Sequence, residues 1–158
     1  MIFGIDPGCS GAIVALNDDG TMHRHIPMPI MKADTDKRSR IDGAQIADFF
    51  REHLGVQCTA AIEHVGPMPK DGVTNAFTFG HGAGIIEGVL QAFEIPYTKI
   101  RPQAWKKGTG LIGMDKDAAR IKAIRMYPDL RVLDLKGKGQ AVADAILIAR
   151  FCHGLQCK

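Results

Sequence analysis

The first stretch of the chain decides its fold, and it reads MIFGIDPGCSGAIVAL at residues 1–16. Its two apolar runs, Met1–Asp6 and Ala12–Leu16, flank a PGCSG segment of turn-forming residues, which is typical of two strands joined by a tight connection. An NDDG sequence at residues 17–20 predicts a hairpin turn, and Thr21–Ile26 follows as a third strand. We therefore expect the chain to open with three antiparallel strands.

Helices and strands alternate through the rest of the chain. Short apolar runs predict strands at Thr59–Glu63 and Ile95–Ile100, whereas the prolines and basic residues of Pro27–Arg40 predict a mobile loop. The spacing of apolar residues predicts helices over Ile41–Gly55, Thr74–Phe93, Arg101–Trp105, Asp115–Tyr127 and Ala141–Cys152. This order predicts an α/β fold in which a mixed five-stranded sheet, three antiparallel strands and then parallel ones, carries helices on both faces.

The predicted helix at Thr74–Phe93 contains four glycines at near-helical spacing: Gly80, Gly82, Gly84 and Gly88. Each glycine disfavours a helix by roughly 1 kcal/mol relative to alanine, so four of them indicate that another backbone approaches this helix closely. A second subunit, a nucleic-acid strand or another segment of the same chain would each account for them.

Length and composition limit the class of protein. A chain of 158 residues with 46% hydrophobic and 23% charged residues is predicted to form one globular domain over residues 1–158. The chain has no apolar run of about 18 residues, as a membrane helix requires, and no N-terminal features of a signal peptide. We therefore expect a cytoplasmic protein without a targeting signal or a membrane partner. Its four irregularly spaced cysteines are predicted to remain free thiols.

The mild net charge of +3 conceals an asymmetry along the chain. Acidic residues outnumber basic ones by five in residues 1–98, and basic residues outnumber acidic ones by eight in residues 99–158. A basic segment beside an acidic body fits a protein that binds both a polyanion and a cation. The alternative is a lysine-rich helical face that is simply solvated.

Three acidic residues stand at positions that indicate a metal site. Asp6 and Glu63 each end a predicted strand, and Asp144 lies in the apolar sequence VADAI of the last predicted helix. Strand ends of an α/β sheet open into a shared crevice, and a helix packed on the sheet can bring Asp144 to the same place. Clustered carboxylates suit Mg²⁺ or Mn²⁺, and two such ions can activate water and stabilise a leaving phosphate oxygen. For each acid alone, the alternative is a helix cap or a salt bridge.

The residues around these acids resemble the three acidic motifs of the RuvC-type Holliday junction resolvases. The motifs read IDPG at residues 5–8, AIEHV at 61–65 and ADAILIA at 143–149. The segment PQAWKK at 102–107, with residues 110–116, is similar to the basic segment of that family. The resemblance spans nearly the whole chain in the same order, and it is stronger to phage and plastid members of the group.

The resemblance implies an RNase H-like fold and a homodimeric, metal-dependent endonuclease that nicks two symmetry-related strands of a four-way (Holliday) DNA junction, with no nucleotide cofactor. Asp6, Glu63 and Asp144 fall on the family's metal ligands, which hold two Mg²⁺ or Mn²⁺ ions, and Lys116 falls on a basic residue near the scissile phosphate. The branched DNA is expected to contact basic residues from three segments: Lys37, Arg38, Arg40, Arg101, Lys106, Lys107, Lys136 and Lys138.

The chain departs from the family pattern in two places. Where the family carries a fourth acid or a histidine one turn before the last aspartate, this chain has Ala141, preceded by Gln140. Either Gln140 supplies its side-chain oxygen, or Asp134 reaches the site, or the second ion is held less tightly. The aromatic wedge that follows the glutamate motif is also missing, and three apolar residues are candidates to replace it: Met68, Phe77 and Phe79. Core packing is the alternative that we expect for the two phenylalanines.

Other functions fit parts of this pattern. The GIDPG sequence also resembles the first phosphate loop of actin-like and sugar-kinase-like ATPases, but those proteins need two lobes and a much longer chain. A junction-binding protein that has lost catalysis would explain Ala141, and another RNase H-like nuclease would act on other branched DNA or on RNA–DNA hybrids. Trp105, which precedes two lysines, either stacks on a nucleic-acid base or anchors the core.

Overall fold

Seven strands and five α-helices make up the described part of the fold. The structure is a computed structural model, and it describes residues 1–33, 36–64, 66 and 72–154. The strands are β1 (Ile2–Asp6), β2 (Ala12–Leu16), β3 (Met22–Pro27), β4 (Ile30–Ala33), β5 (Asp36–Ile41), β6 (Thr59–Glu63) and β7 (Tyr97–Ile100). The helices are α1 (Gly43–Arg51), α2 (Val73–Ala92), α3 (Pro102–Gly108), α4 (Ala118–Met126) and α5 (Lys136–Cys152), with a 3-10 helix at Arg131–Asp134.

Five of the strands form one mixed sheet in the order β3-β2-β1-β6-β7. The first three strands pair antiparallel, whereas β6 pairs parallel with both β1 and β7. Residues of α1 and α2 pack on one face of this sheet, and residues of α3, α4 and α5 pack on the other. The predicted mixed five-stranded sheet with helices on both faces is confirmed.

The side chains of β1 alternate between two separate cores. Phe3 and Ile5 point to one face, where they pack against apolar residues of α1 and α2: Ile46, Phe49, Phe50, Ile86 and Leu90. Ile2 lies on the other face and shares a cluster with Ala149 of α5. Because both faces of the central strands are covered, β1 and β2 are almost continuously apolar instead of alternating with polar residues.

The segment between β3 and α1 is a hairpin, and the prediction of a mobile loop there is wrong. β4 and β5 pair antiparallel, with Ile30 opposite Ile41. Met28 and Ile41 are buried in the core at the base of this hairpin, and the Met28 N–H donates a hydrogen bond to the Gly11 carbonyl at 2.9 Å. Prolines and basic residues dominate the segment, so its sequence does not reveal that a few buried residues anchor it.

The last helix begins at Lys136, five residues before its predicted start at Ala141. Its first turn reads KGKGQ, in which no apolar residue signals a helix and two glycines disfavour one. Tertiary packing decides the start, because a Cβ on Gly139 would lie 2.7 Å from the carbonyl oxygen of Val132 in the preceding 3-10 helix. The earlier start places Gln140 inside α5, one turn before Asp144.

Close packing within the chain explains only one of the four α2 glycines. A Cβ on Gly82 would lie 2.8 Å from Cγ1 of Ile41. No described atom lies within 4 Å of a Cβ built on any of the other three: Gly80, Gly84 and Gly88. These three recur every four residues and so follow one side of the helix.

The described cysteines are free thiols, as predicted: Cys9, Cys58 and Cys152. The fourth, Cys157, lies outside the described residues. Among the described helices, none combines the length and the apolarity needed to cross a bilayer.

β1 and α5 approach each other most closely at Gly4. A Cβ at this position would overlap the carbonyl oxygen of Ala145 and would lie 2.8 Å from the Cβ of Ala149. The obstacle is helix backbone, which no change of rotamer can move aside. Glycine at this position is therefore what allows the helix to rest directly on the central strand.

We predict that Gly4→Ala destabilises the protein by about 2 kcal/mol or more, because overpacking against backbone forces the helix away from the sheet. Urea denaturation followed by circular dichroism measures this change. The matched control is Gly137→Ala in the same helix, where no described atom lies within 4 Å of the added Cβ. This control is expected to be neutral or to stabilise by about 0.5–1 kcal/mol. Equal, small effects of the two variants would contradict the close-packing argument.

Candidate active site

Asp6 and Glu63 end neighbouring parallel strands, on the same face of the sheet. The register pairs Ile5 of β1 with Ile62 of β6, so the acidic residues that follow lie side by side at one edge. Ile5 and Ile62 both belong to the core under α1 and α2. Because successive strand residues point to opposite faces, the two carboxylates point to the face that α5 covers.

Helix α5 brings a third carboxylate to the same edge. The carbonyl of Ala145 lies against Gly4, two residues before Asp6 on β1. Asp144 is half-buried, although the helix residues on both sides of it, such as Ala143 and Ala145, are fully buried. The structure therefore brings together all three predicted metal ligands from β1, β6 and α5.

Burial and like charge favour the protonated forms of two of these carboxyls. The pKa of Asp6 is raised from 3.8 to about 7, mainly by burial and then by the charges of Glu63 and Asp144, against the opposing effects of the Gly8 N–H and Lys106. The pKa of Asp144 is raised to about 6, mainly by burial, with a smaller rise from the charge of Glu63 and an opposing effect of Lys106. Near neutral pH, this edge of the sheet therefore favours the uptake of either protons or a cation.

Glu63 is held by a buried tryptophan. Trp105 of α3 is fully buried, and its indole N–H donates a hydrogen bond to Oε1 of Glu63 at 2.8 Å. The ammonium group of Lys106 lies 5.3 Å from the centre of the same ring. Of the two interpretations of Trp105, core anchoring is right and base stacking is wrong, because the ring is inaccessible. Sequence reasoning missed the bond to Glu63, since no local pattern links residues 42 positions apart.

Gln140 is the residue that contacts Asp144 from the preceding turn of α5. Its amide nitrogen donates to Oδ1 of Asp144 at 2.9 Å, and this bond lowers the pKa of Asp144 against the effect of burial. Ala141 is buried in the core on this side of the sheet. Asp134 is exposed and pairs with Arg131 at 3.7 Å. Of the residues considered as a fourth ligand, Gln140 is the one beside the acidic cluster.

The donor set fits a hard divalent cation. Among the described residues, no group of three or more His, Cys, Asp or Glu side chains is arranged around a position for a metal ion. The carboxylates still supply the oxygen ligands that Mg²⁺ and Mn²⁺ prefer. The raised pKa values of Asp6 and Asp144 also indicate that a neighbouring positive charge would stabilise the ionised cluster. Asp6, Glu63 and Asp144 are the side chains that would hold such an ion.

Lys106 is the predicted basic residue whose charge acts on the acidic cluster. Lys116 is exposed in the connection between α3 and α4, and in the described part of the chain it makes no contact with the three carboxylates. Five other predicted DNA contacts are exposed: Arg40, Arg101, Lys107, Lys136 and Lys138. Lys37 and Arg38 lie on β5, and their side chains are outside the described part.

Phe77 is exposed, so the expectation that it packs in the core is wrong. Three-quarters of its surface is accessible (74%), and its ring stacks on His81, one turn further along α2, with 6.2 Å between ring centres. Phe77 lies nine residues before Ile86, which places it on the side of the helix opposite the core. Phe79 is half-buried and lines a groove of about 370 Å³ beside Pro7. Met68 lies outside the described residues.

The mixed sheet in the order β3-β2-β1-β6-β7, with helices on both faces, places the chain among α/β proteins. Comparison with solved structures identifies which known fold the chain resembles. The chain is similar to the Thermus thermophilus RuvC structure, with a TM-score of 0.58, 18% sequence identity and coverage of 95% of this chain and 91% of that chain.

The chain is similar to the same extent to T. thermophilus RuvC in complex with Holliday junction substrate, with a TM-score of 0.58, 15% identity and coverage of 95% and 90% of the two chains. No protein-family model and no curated protein matches the chain. The chain therefore has a RuvC-like fold, and the fold implied by its acidic motifs is confirmed.

We predict that Asp6→Asn stabilises the metal-free protein at pH 8. Folding raises the pKa of Asp6, so the folded chain binds its proton more tightly than the unfolded chain does. The contribution of this group to stability is therefore fully present below about pH 4 and decreases as the pH rises through about 7. Removing the charge should raise the free energy of unfolding at pH 8 by roughly 1–3 kcal/mol and flatten its decline between pH 5 and pH 8.

Chemical denaturation in the presence of a chelator, at several pH values, measures this effect. Asp129→Asn, at an exposed position before the 3-10 helix, is the matched control and should leave the pH dependence unchanged. A loss of stability in Asp6→Asn at pH 8 would show that the burial of this charge is not the dominant effect.

Proposed function

We propose that the protein is a divalent-metal-dependent endonuclease that resolves four-way DNA junctions by paired, symmetric nicks. The observation that carries this proposal is the convergence of Asp6, Glu63 and Asp144 beside the ammonium group of Lys106. This convergence occurs in a fold similar to that of T. thermophilus RuvC, one structure of which contains a Holliday junction substrate. The family motifs in the sequence support the same activity.

Each side chain of the site has a separate role in the proposed reaction. Mg²⁺ or Mn²⁺ ions, two when fully loaded, supply the activation of water and the stabilisation of the leaving oxygen. Asp6, Glu63 and Asp144 bind these ions through carboxylate oxygens. Lys116 reaches the scissile phosphate and offsets the charge that develops there. Gln140 could present its amide oxygen after rotation about its last side-chain bond, and as a neutral ligand it would hold a second ion less tightly than a carboxylate would.

The DNA backbone is proposed to lie across the exposed basic residues near this edge of the sheet. Arg101 and Lys107 come from the start and the end of α3, next to Trp105, and Lys136 and Lys138 come from the first turn of α5, before Asp144. Phosphate contacts of this kind give affinity without sequence selectivity and weaken as salt is added. Arg40 on β5 extends the proposed contact, and the side chains of the other two predicted hairpin contacts, Lys37 and Arg38, lie outside the described part of the chain.

A homodimer with α2 at its interface would supply the two active sites that paired nicks require. The accessible side of α2 carries three glycines without close neighbours in the described structure, Gly80, Gly84 and Gly88. Val73 and Phe77 are exposed near the start of the same helix. Small residues every four positions allow two helix backbones to pack closely, and a two-fold axis presents the same face twice. A two-fold dimer also matches the symmetry of a four-way junction.

The dimer proposal predicts a solution mass of twice the 17.1 kDa of one chain. Gly84→Arg should shift this mass to that of a monomer, because the added side chain occupies the space needed by the second helix. The control is Ile121→Arg, at an exposed position of α4, which should remain dimeric. Sedimentation equilibrium measures both, and a monomeric mass for the unaltered protein would contradict the proposal.

The activity is tested with a synthetic four-way junction and Mg²⁺. The unaltered protein should nick two opposite strands at symmetric positions. Asp6→Asn, Glu63→Gln and Asp144→Asn should each abolish nicking and leave junction binding nearly unchanged. Lys116→Ala should reduce the nicking rate by about 100-fold or more while changing the affinity by less than about threefold. Lys136→Ala, the matched control for a phosphate contact, should weaken binding and nicking in parallel and reduce the salt dependence by about one ion.

Two outcomes of this experiment would replace the proposal. Tight binding of the junction without nicks, equal in the unaltered protein and in Asp6→Asn, would indicate a junction-binding protein without catalysis, as the alanine at position 141 also allows. Faster cleavage of flaps, replication forks or RNA–DNA hybrids at matched salt would indicate a different RNase H-like nuclease. If Lys116→Ala lowers binding and nicking equally, Lys116 is an ordinary phosphate contact.

A further inference from the structure

We infer that Trp105 is a positioning residue of the candidate metal centre, whose indole N–H fixes the Glu63 carboxylate so that its second oxygen stays available to a cation. This inference rests on the proposed function, because it concerns how the same site is held ready for Mg²⁺ or Mn²⁺. Its basis is a hydrogen bond between α3 and the end of β6.

The buried indole N–H has Glu63 as its acceptor. Trp105 is fully buried, and a buried N–H without an acceptor would be strongly unfavourable. The bond to Oε1 of Glu63, at 2.8 Å, satisfies it. No buried side-chain nitrogen or oxygen in the described part of the chain lacks a partner. Apolar packing accounts for the size of the ring but needs no N–H, so the N–H is the feature of Trp105 that core packing alone does not require.

The orientation of this N–H is fixed by the packing around the ring. The ring lies in a cluster with apolar residues from β6, β7, α4 and α5: Ala61, Ile100, Ala119, Leu147 and Ile148. Dense packing of this kind leaves a large ring little freedom to change rotamer. The Thr109 hydroxyl also donates to the Trp105 carbonyl at 2.8 Å and thereby ties down the end of α3. The donor is therefore directed at Glu63 before any cation binds.

The hydrogen bond from the indole N–H to Oε1 affects how Glu63 can bind a cation. Oε1 accepts the indole N–H, and the second oxygen, Oε2, does not share this hydrogen bond. The side chain also loses less rotational freedom when it binds a cation, because the hydrogen bond already restricts it. Partners of this kind, which bind a metal ligand rather than the metal, change metal affinity by about 10–100-fold when removed.

The same ring also interacts with the ammonium group of Lys106. This group lies 5.3 Å from the ring centre, a distance at which a cation is attracted to the face of an indole. Lys106 is the lysine whose charge lowers the pKa values of Asp6 and Asp144. One side chain of α3 therefore contacts both a carboxylate and the cation that balances the other two carboxylates.

The sharpest test replaces the N–H and keeps the shape. The chain contains a single tryptophan, so growth with benzothienylalanine, in which sulfur replaces the indole N–H, alters position 105 alone. We expect this protein to bind Mn²⁺ about 10–100-fold more weakly than the unaltered protein, in titrations that follow free Mn²⁺ by electron paramagnetic resonance. We expect its thermal unfolding midpoint in chelator to stay close to that of the unaltered protein.

Two genetic variants separate positioning from core packing. Trp105→Phe keeps an aromatic ring and removes the N–H, and it should weaken Mn²⁺ binding as benzothienylalanine does. The matched control is Phe50→Leu, which also reduces a fully buried aromatic ring but lies on α1, under the opposite face of the sheet. It should lower the unfolding midpoint and leave the affinity for Mn²⁺ unchanged.

The single indole also reports on the contact directly. In a ¹⁵N–¹H correlation spectrum, the indole N–H of Trp105 gives one resonance, which should move in Glu63→Gln and stay in place in Phe50→Leu. Addition of Mg²⁺ should shift this resonance in the unaltered protein and leave it unshifted in Glu63→Gln. A resonance that is insensitive to Glu63→Gln would overturn the inference.

The remaining outcomes distinguish this inference from the proposed function. If the unaltered protein and the benzothienylalanine protein bind Mn²⁺ equally, the inference fails and the proposed function stands. If Phe50→Leu weakens Mn²⁺ binding as much as Trp105→Phe does, Trp105 is only a core anchor, and the inference again fails alone. If the unaltered protein binds neither Mn²⁺ nor Mg²⁺, both the proposed function and this inference are wrong.

Discussion

The contact between α5 and β1 at Gly4 is the constraint on which the candidate active site depends. The absence of a side chain allows the backbone of α5 at Ala145 to rest directly on the central strand. Asp144 therefore meets Asp6 and Glu63, which end β1 and β6 on the same face. The wide separation of these residues in the chain makes the site a product of packing, because apolar burial on both faces of the sheet holds the helix and the strands together.

This packing places three carboxylates close together where they are partly removed from solvent, which is unfavourable for their ionised forms. Burial and mutual repulsion raise the pKa values of Asp6 and Asp144, so assembly of the cluster lowers the stability of the metal-free fold near neutral pH. Lys106 and Gln140 offset part of this cost, and the buried N–H of Trp105 holds the remaining carboxylate, Glu63. Sites that are unfavourable in isolation are common where a protein binds a charged partner. The fold thus carries a localised instability that a bound cation would relieve.

The acidic and basic parts of the chain contribute different elements to the fold. The acidic first part contributes β1 and β6 with two of the carboxylates. The basic second part contributes Asp144 on α5 and four exposed cations in or next to α3 and α5: Arg101, Lys107, Lys136 and Lys138. The two parts do not form separate bodies, because α5 packs across the sheet that the first part builds. The residues of the proposed cation site therefore come from both parts of the chain, although they are far apart in sequence.

The sequence by itself determined the five strands of the sheet, their antiparallel and parallel directions and the three acids, because short apolar runs are local signals and two of them end in a carboxylate. It did not reveal the β4–β5 hairpin or the early start of α5, where polar residues and glycines are held by a few distant buried contacts. The exposure of Phe77 and the bond between Trp105 and Glu63 were equally hidden. Only the tertiary structure decided these features, because each depends on which surfaces contact one another after the helices pack on the sheet. The periodicity of a segment depends on that segment alone and does not predict its contacts with distant segments.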